Sequence, residues 1–192
     1  MKTILYLLLF FLSPPVFAGD SKIASFRDYL TISLPPSISA RKKSFEAPSL
    51  FASADCVELR NLRKKPIGLA CIFKNLDSNS DVLNELGFFS SAEIAHPQES
   101  SALYYAATSL AVYPMKIWRE IGKPGYFSEN DCDIYKNQIY RATGTCLSAF
   151  AFLSERDLLY IDIVLRDNVK NKDIISRNEK IKILSGISIG FP

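Results

Sequence analysis

Four cysteines, Cys56, Cys71, Cys132 and Cys146, restrict this chain more than any other feature, because they limit which segments can be neighbours. In an oxidising compartment an even count reads as two disulfides. Four thiols allow three pairings, and the spacing favours Cys56 with Cys71 and Cys132 with Cys146, each closing a short loop whose flanks look like paired strands. In the chain-entropy account, closing a loop of about 15 residues stabilises by roughly 3 kcal/mol. Metal ligation competes for such residues, but there is no C-x-x-C and His96 is the only histidine, so no metal site is expected.

The compartment follows from residues 1–18. Lys2 precedes the apolar run Ile4–Leu12, then come Ser13-Pro14-Pro15 and Val16-Phe17-Ala18. A charged start, an apolar centre, a breaker and small residues form the pattern of a cleavable secretory signal, with cleavage expected after Ala18. The run is shorter than the roughly 20 residues that a membrane-crossing helix needs. No cysteine follows it to carry a lipid. The reading is an exported chain with no stable membrane anchor after cleavage, periplasmic or else extracellular, with residues 19–192 as a single domain.

Charge is nearly balanced, 23 Lys and Arg against 20 Asp and Glu. A nucleic-acid binder would show a basic bias or an aromatic-basic array, and neither is present. The segment Tyr29–Leu34 alternates like a strand and stops at Pro35-Pro36; Ser37 to Ser53 reads as loop with a short strand near Phe45. Asp55–Leu59 and Ile67–Phe73 read as a hairpin whose tip, Arg60 to Pro66, is basic. Ser78 to Asp81 caps a helix carrying Val82, Leu83 and Leu86, with His96-Pro97 as its stop. Glu99 to Ser101 opens a longer predicted helix in which Leu103, Ala107, Leu110, Pro114, Ile117, Trp118 and Ile121 recur at helical spacing, closed by Gly122 and Pro124. Asp133–Tyr140, Ala142–Phe152 and Leu158–Leu165 form a predicted meander. Its last strand points Leu159, Ile161, Ile163 and Leu165 to the core, and Asp162 to the other face. A final helix is predicted from Asp173 to about Leu184, with Ile174, Ile181 and Leu184 inward. The expected class is α+β: an antiparallel sheet of about five to six strands, two to three helices packed on one face, and two disulfides.

The search for chemistry returns mainly negatives. Gly186 to Gly190 matches G-x-S-x-G, but a nucleophile elbow needs a following helix and later triad members, and two residues remain. Phosphate-cradling glycine loops and H-E-x-x-H are absent. Glycosidase chemistry needs two carboxylates across a cleft, for which Glu129, Asp131, Asp133, Asp157 and Asp162 are candidates. The stretch Ser128 to Asp133 is the most acidic and reads as a solvated turn or a partner-facing surface. No catalytic residue and no cofactor is assigned.

Aromatic residues crowd the middle of the chain: Tyr104, Tyr105, Tyr113, Trp118, Tyr126 and Phe127. Tyrosine and tryptophan are enriched at interfaces, although packing in a core is the commoner use. Tyr104 and Tyr105 cannot both point inward on one helix. In general type the chain resembles the small periplasmic immunity proteins of antibacterial effector systems: exported, short, disulfide-stapled and without catalytic machinery. That resemblance lies in overall character and carries no residues across. It implies a non-catalytic binding protein whose partner is a protein, an effector toxin in its most concrete form. The candidate partner-binding residues are Glu129, Asp131, Asp133, Tyr104 and Trp118. The alternative is a small periplasmic hydrolase or ligand carrier with a carboxylate-lined pocket.

Overall fold

The computed structural model describes residues 22–26, 30–46, 49–94, 101–109, 111–136 and 139–189. The segment read as a signal peptide, His96-Pro97 and the helix start at Glu99-Ser100 lie outside them. In chain order the elements begin with β1 (Lys22–Phe26), β2 (Leu30–Leu34), β3 (Ile38–Lys43), β4 (Asp55–Asn61) and β5 (Pro66–Phe73). The short helix α1 (Asn79–Glu85) leads to β6 (Phe88–Ser90), β7 (Tyr104–Ala107), β8 (Val112–Pro114) and β9 (Lys116–Ile117). Then come β10 (Gly125–Lys136), β11 (Ile139–Phe152), β12 (Leu158–Asp167), β13 (Lys172–Asp173), α2 (Arg177–Ser185) and β14 (Ile187–Ile189).

An eight-stranded antiparallel sheet runs β3-β4-β5-β12-β11-β10-β9, and β13 pairs with β12 where the β5 pairing has ended. Both of its faces are covered. Period-two alternation explains how one strand serves two cores. From β12, Leu159, Ile161, Ile163 and Leu165 enter the first core, where they meet Ile32 and Leu34 of β2 and Ile183 and Leu184 of α2. Leu158 and Tyr160 point the other way and pack with Val82 and Leu83 of α1, Phe88 of β6 and Ala106 of β7. The run Ile67–Phe73 is almost continuously apolar because β5 is buried on both sides. On the first face lies the three-stranded sheet β1-β2-β14; on the second lies β6-β7-β8.

Both disulfides have the expected pairing. Cys56 and Cys71 stand directly opposite each other in β4 and β5, with Cα atoms 4.1 Å apart. Cys132 and Cys146 join β10 to β11 diagonally, since Cys132 is opposite Gly144, and their Cα atoms are 5.8 Å apart.

The expected α+β class is overturned. The chain is mainly β, and its sheet is wider than five or six strands. Among the described residues the two α-helices are short. The long helix expected from Glu99 to Ile121 is replaced by β7, β8 and β9. Seven apolar residues at helical spacing match a helix, but Pro114 interrupts the helical ladder, and tyrosines with β-branched neighbours suit strands. The Thr108–Ala111 turn, in which the Thr108 N–H donates to Ala111 O at 2.8 Å, closes the β7–β8 hairpin. Strand alternation also places both tyrosines: Tyr105 is fully buried, and Tyr104 lies half-buried among rings on the opposite side.

Helix α1 ends at Glu85, long before His96, because Gly87 takes a φ of 83° and turns the chain into β6. Helix α2 starts at Arg177, where Ser176 and Glu179 form a capping box. Leu184 is buried as expected, whereas Ile181 is 51% exposed. The acidic stretch from Ser128 belongs to β10 and is no turn: Ser128 and Asn130 are buried while Glu129 between them is exposed.

Candidate functional site

Two regions combine accessible space with organised side chains. The first lies on the second face, where β6-β7-β8 stands off the central sheet and leaves a cavity of about 260 Å³. Asn130 of β10, Ser148 of β11 and Asp162 of β12 form its polar floor. Cross-strand pairing of Ser148 with Asp162 brings these groups together. The Ser148 hydroxyl donates to Asp162 Oδ1 at 2.9 Å and lies 3.5 Å from Asn130 Oδ1. A hydroxyl has one proton, so the nearer carboxylate takes it.

Burial pushes the Asp162 carboxyl up to about 6, and the Ser148 hydrogen bond only partly offsets this. The Tyr160 phenol is raised well above its usual range, first by burial and then by the negative charge of Asp162. At the cavity wall Asp131 accepts a hydrogen bond from the Tyr113 hydroxyl at 2.6 Å. That bond raises the Tyr113 phenol, because it favours the protonated form. Phe88 and Leu86 supply apolar wall, and among the described residues no Lys, Arg or His lines the cavity.

The second region is the end of the sheet where β4 turns into β5 and β12 turns into β13. A cavity of about 510 Å³ opens between the two turns. Both turns are held by a side chain that accepts backbone N–H groups, the device that makes Asn and Asp good turn residues. Asn61 Oδ1 accepts from Arg63 N at 3.0 Å and Lys65 N at 3.1 Å, and Lys64 sits at a φ of 57°. Asp167 Oδ1 accepts from Lys170 N at 3.0 Å, which holds its carboxyl below the ordinary value. Asn171 takes the left-handed position of that turn at a φ of 49°.

The tips project large apolar side chains into solvent: Leu62 is 74% exposed and Val169 71%. Around them stand Arg63, Lys64, Lys65, Lys170 and Lys172. Lys170 pairs with Asp167 at 3.5 Å. Among the described residues, Arg63, Lys64, Lys65 and Lys172 have no ion pair.

The chain has no significant match among protein-family models, curated proteins or solved structures.

The five candidate partner-binding residues do not meet on one face. Trp118 is fully buried in the first core, and its indole N–H donates to Leu184 O at 3.1 Å, so it offers a partner no surface. Tyr104 packs into the ring cluster of the second face, 4.6 Å from Tyr126 and 5.1 Å from Phe150 between centroids. Glu129 is exposed and ion-paired with Lys180 of α2. Asp131 is the residue held by Tyr113. Asp133 stands opposite Thr143 near the far end of the β10–β11 pairing. Of the carboxylates weighed from sequence, Asp162 lies in the floor of the cavity with Asp131 at its wall, and Asp157 accepts from Asn75 N at 3.1 Å in a loop contact.

The exposed apolar tips were missed from sequence, although the basic turn that carries Leu62 was read. Asn130 and Ser148 were missed as well. Their signal was available as polar residues at inward-facing positions of β10 and β11, but strand register had to be known to see it.

Proposed function

We propose that this chain is an exported, non-catalytic binding protein that holds a protein partner at the end of the sheet formed by the β4–β5 and β12–β13 turns. Its most concrete form is an immunity protein that occupies and neutralises an antibacterial effector in the periplasm. The observation that carries this reading is the pair of exposed side chains, Leu62 and Val169, on hydrogen-bonded turns beside one cavity. Large apolar side chains at the centre of a patch supply contact area, and the surrounding cations speed the encounter with an acidic partner surface. Turns held in this way add to this, because ordering a flexible loop on binding costs affinity.

The two disulfides are compatible with an oxidising compartment. Among the described residues no helix is long and apolar enough to cross a membrane. A hydrolase reading needs two carboxylates across a cleft; Asp162 supplies one, while Asp131 is engaged by Tyr113.

The test is a pull-down from envelope extract of cells carrying the effector candidate encoded beside this chain, with the exported protein as bait. Wild-type bait recovers that effector, and Leu62→Asp with Val169→Asp lowers recovery at least tenfold while Glu129→Lys leaves it unchanged. Equal recovery by the tip variant, or no effector with wild-type bait, overturns the reading.

A further inference from the structure

The cavity floored by Asn130, Ser148 and Asp162 is independent of the hairpin end, and its chemistry is unusual for a packed β-protein. Asp162 is half-buried in the cavity floor, and a carboxylate drawn back from bulk water is normally met by a cation or by several donors. Among the described residues Asp162 receives one hydrogen bond, from Ser148. Asn130 is only 4% exposed and lines the same cavity, yet the nearest described polar atom to its Oδ1 is the Ser148 hydroxyl at 3.5 Å, whose proton goes to Asp162. The site therefore holds spare acceptor capacity in two places, opposite an apolar wall and, among the described residues, with no cationic side chain.

We propose that this cavity binds a small organic cation, a primary ammonium group on an apolar body. The ammonium lies between Asp162 and Asn130, donating to both, and the body packs against Phe88 and Leu86 near the Tyr160 ring. The volume of about 260 Å³ falls just below the usual range of ligand cavities, about 300–1,000 Å³, and so limits the occupant to a small molecule. Aromatic rings beside an anion favour an organic cation, because ring faces attract positive charge. A calcium ion would need about six to eight oxygen ligands. The described residues contain no group of three or more acidic, His or Cys side chains able to hold a metal.

Binding to the ionised carboxylate couples affinity to pH. The other titratable groups around Asp162 are Tyr160 on β12, Asp131 on β10 and, across Leu69, Glu58 paired with Arg60 on β4. The segments 86–88 and 106–109 bring only uncharged groups to the lining. With the Asp162 carboxyl pushed up to about 6, about one-tenth of the protein is in the binding-competent state at pH 5, so apparent affinity falls about tenfold from its value at pH 7.5.

The test is an NMR titration of the exported, disulfide-intact protein with benzylamine and with its neutral isostere, benzyl alcohol. The expected result is benzylamine shifts centred on the amides of Gly87, Asn130, Ser148 and Asp162, with at least tenfold higher affinity than the alcohol at pH 7.5 and about tenfold loss at pH 5. Asp162→Asn removes the preference for the amine. The wild-type comparison at two pH values needs no substitution, so it decides the matter even if that variant does not fold. Equal affinity for amine and alcohol, no loss at pH 5, shifts centred elsewhere, or calcium acting on the same amides more strongly than benzylamine overturns the proposal.

Discussion

At the scale of single residues, Asp162 has the most specific consequence for stability. Burial pushes its carboxyl up to about 6, above the ordinary value of 3.8. The folded state therefore holds a proton that the unfolded chain releases. The stability this contributes is fully present below about 4 and is lost as pH rises through about 6. Asp162→Asn should remove the cost of ionisation, raising stability at pH 7.5 by about 1–3 kcal/mol and flattening the pH dependence between 4 and 7. Thermal melts of both proteins across that range provide the check; a variant less stable than wild type at pH 7.5 contradicts it. The face of Asp162 was legible in sequence, because the alternation of β12 puts it opposite Ile161 and Ile163. That no cation faces it among the described residues was not, since that depends on which strands flank β12. Trp118 shows the opposite failure. A large ring with a polar tip serves a core or an interface equally well, and only the Leu184 carbonyl waiting at the end of α2 decides which.

At the scale of elements, the strands were read better than the helices, for a physical reason. A disulfide within a short loop and a run such as Leu158–Leu165 constrain local conformation strongly. The stretch from Leu103 to Ile121 carries apolar residues that satisfy a helix and a strand pattern together, and long-range pairing with β6 and β10 decides between them. Close strand packing also explains a residue that propensity alone would disfavour. Gly68 lies in β5 opposite Ile163, where an added Cβ would sit 2.3 Å from the Asp162 carbonyl oxygen and 2.8 Å from the Ile163 Cα. Both obstacles are backbone, so relief requires β5 and β12 to separate. Gly68→Ala should destabilise by about 2–4 kcal/mol, the range of overpacking and lost ladder bonds, measured by urea unfolding. An unchanged midpoint would show that the two strands can part freely. The bounds of α2 were legible only in part, although the Ser176 and Glu179 cap was written in the sequence as S-x-x-E.

At the scale of the whole molecule, one sheet separates two cores, and both staples join pairs of strands in that sheet. The expected class failed here because sheet width and the number of layers are set by pairings between distant segments. No local pattern records that β3 and β9 are the two ends of one sheet. The disulfide pairing, by contrast, was legible because each bond lies between segments adjacent in sequence. Replacing Cys132 and Cys146 together by Ala should cost about 2–5 kcal/mol and leave the other bond intact, with chemical denaturation and thiol counting as the readout. A variant as stable as wild type would mean that the β10–β11 hairpin holds without its staple.

The same adjacency would set a timetable if, as proposed, the chain is exported from its N-terminal end. Cys71 follows Cys56 by 15 residues, and Cys132 comes 61 residues later. The first bond can close while the second pair is still being threaded outward, and a wrong partner is then absent when the right one arrives. On that proposed route, oxidation in order of emergence would form both native pairs with an oxidant alone and leave an isomerase little to correct.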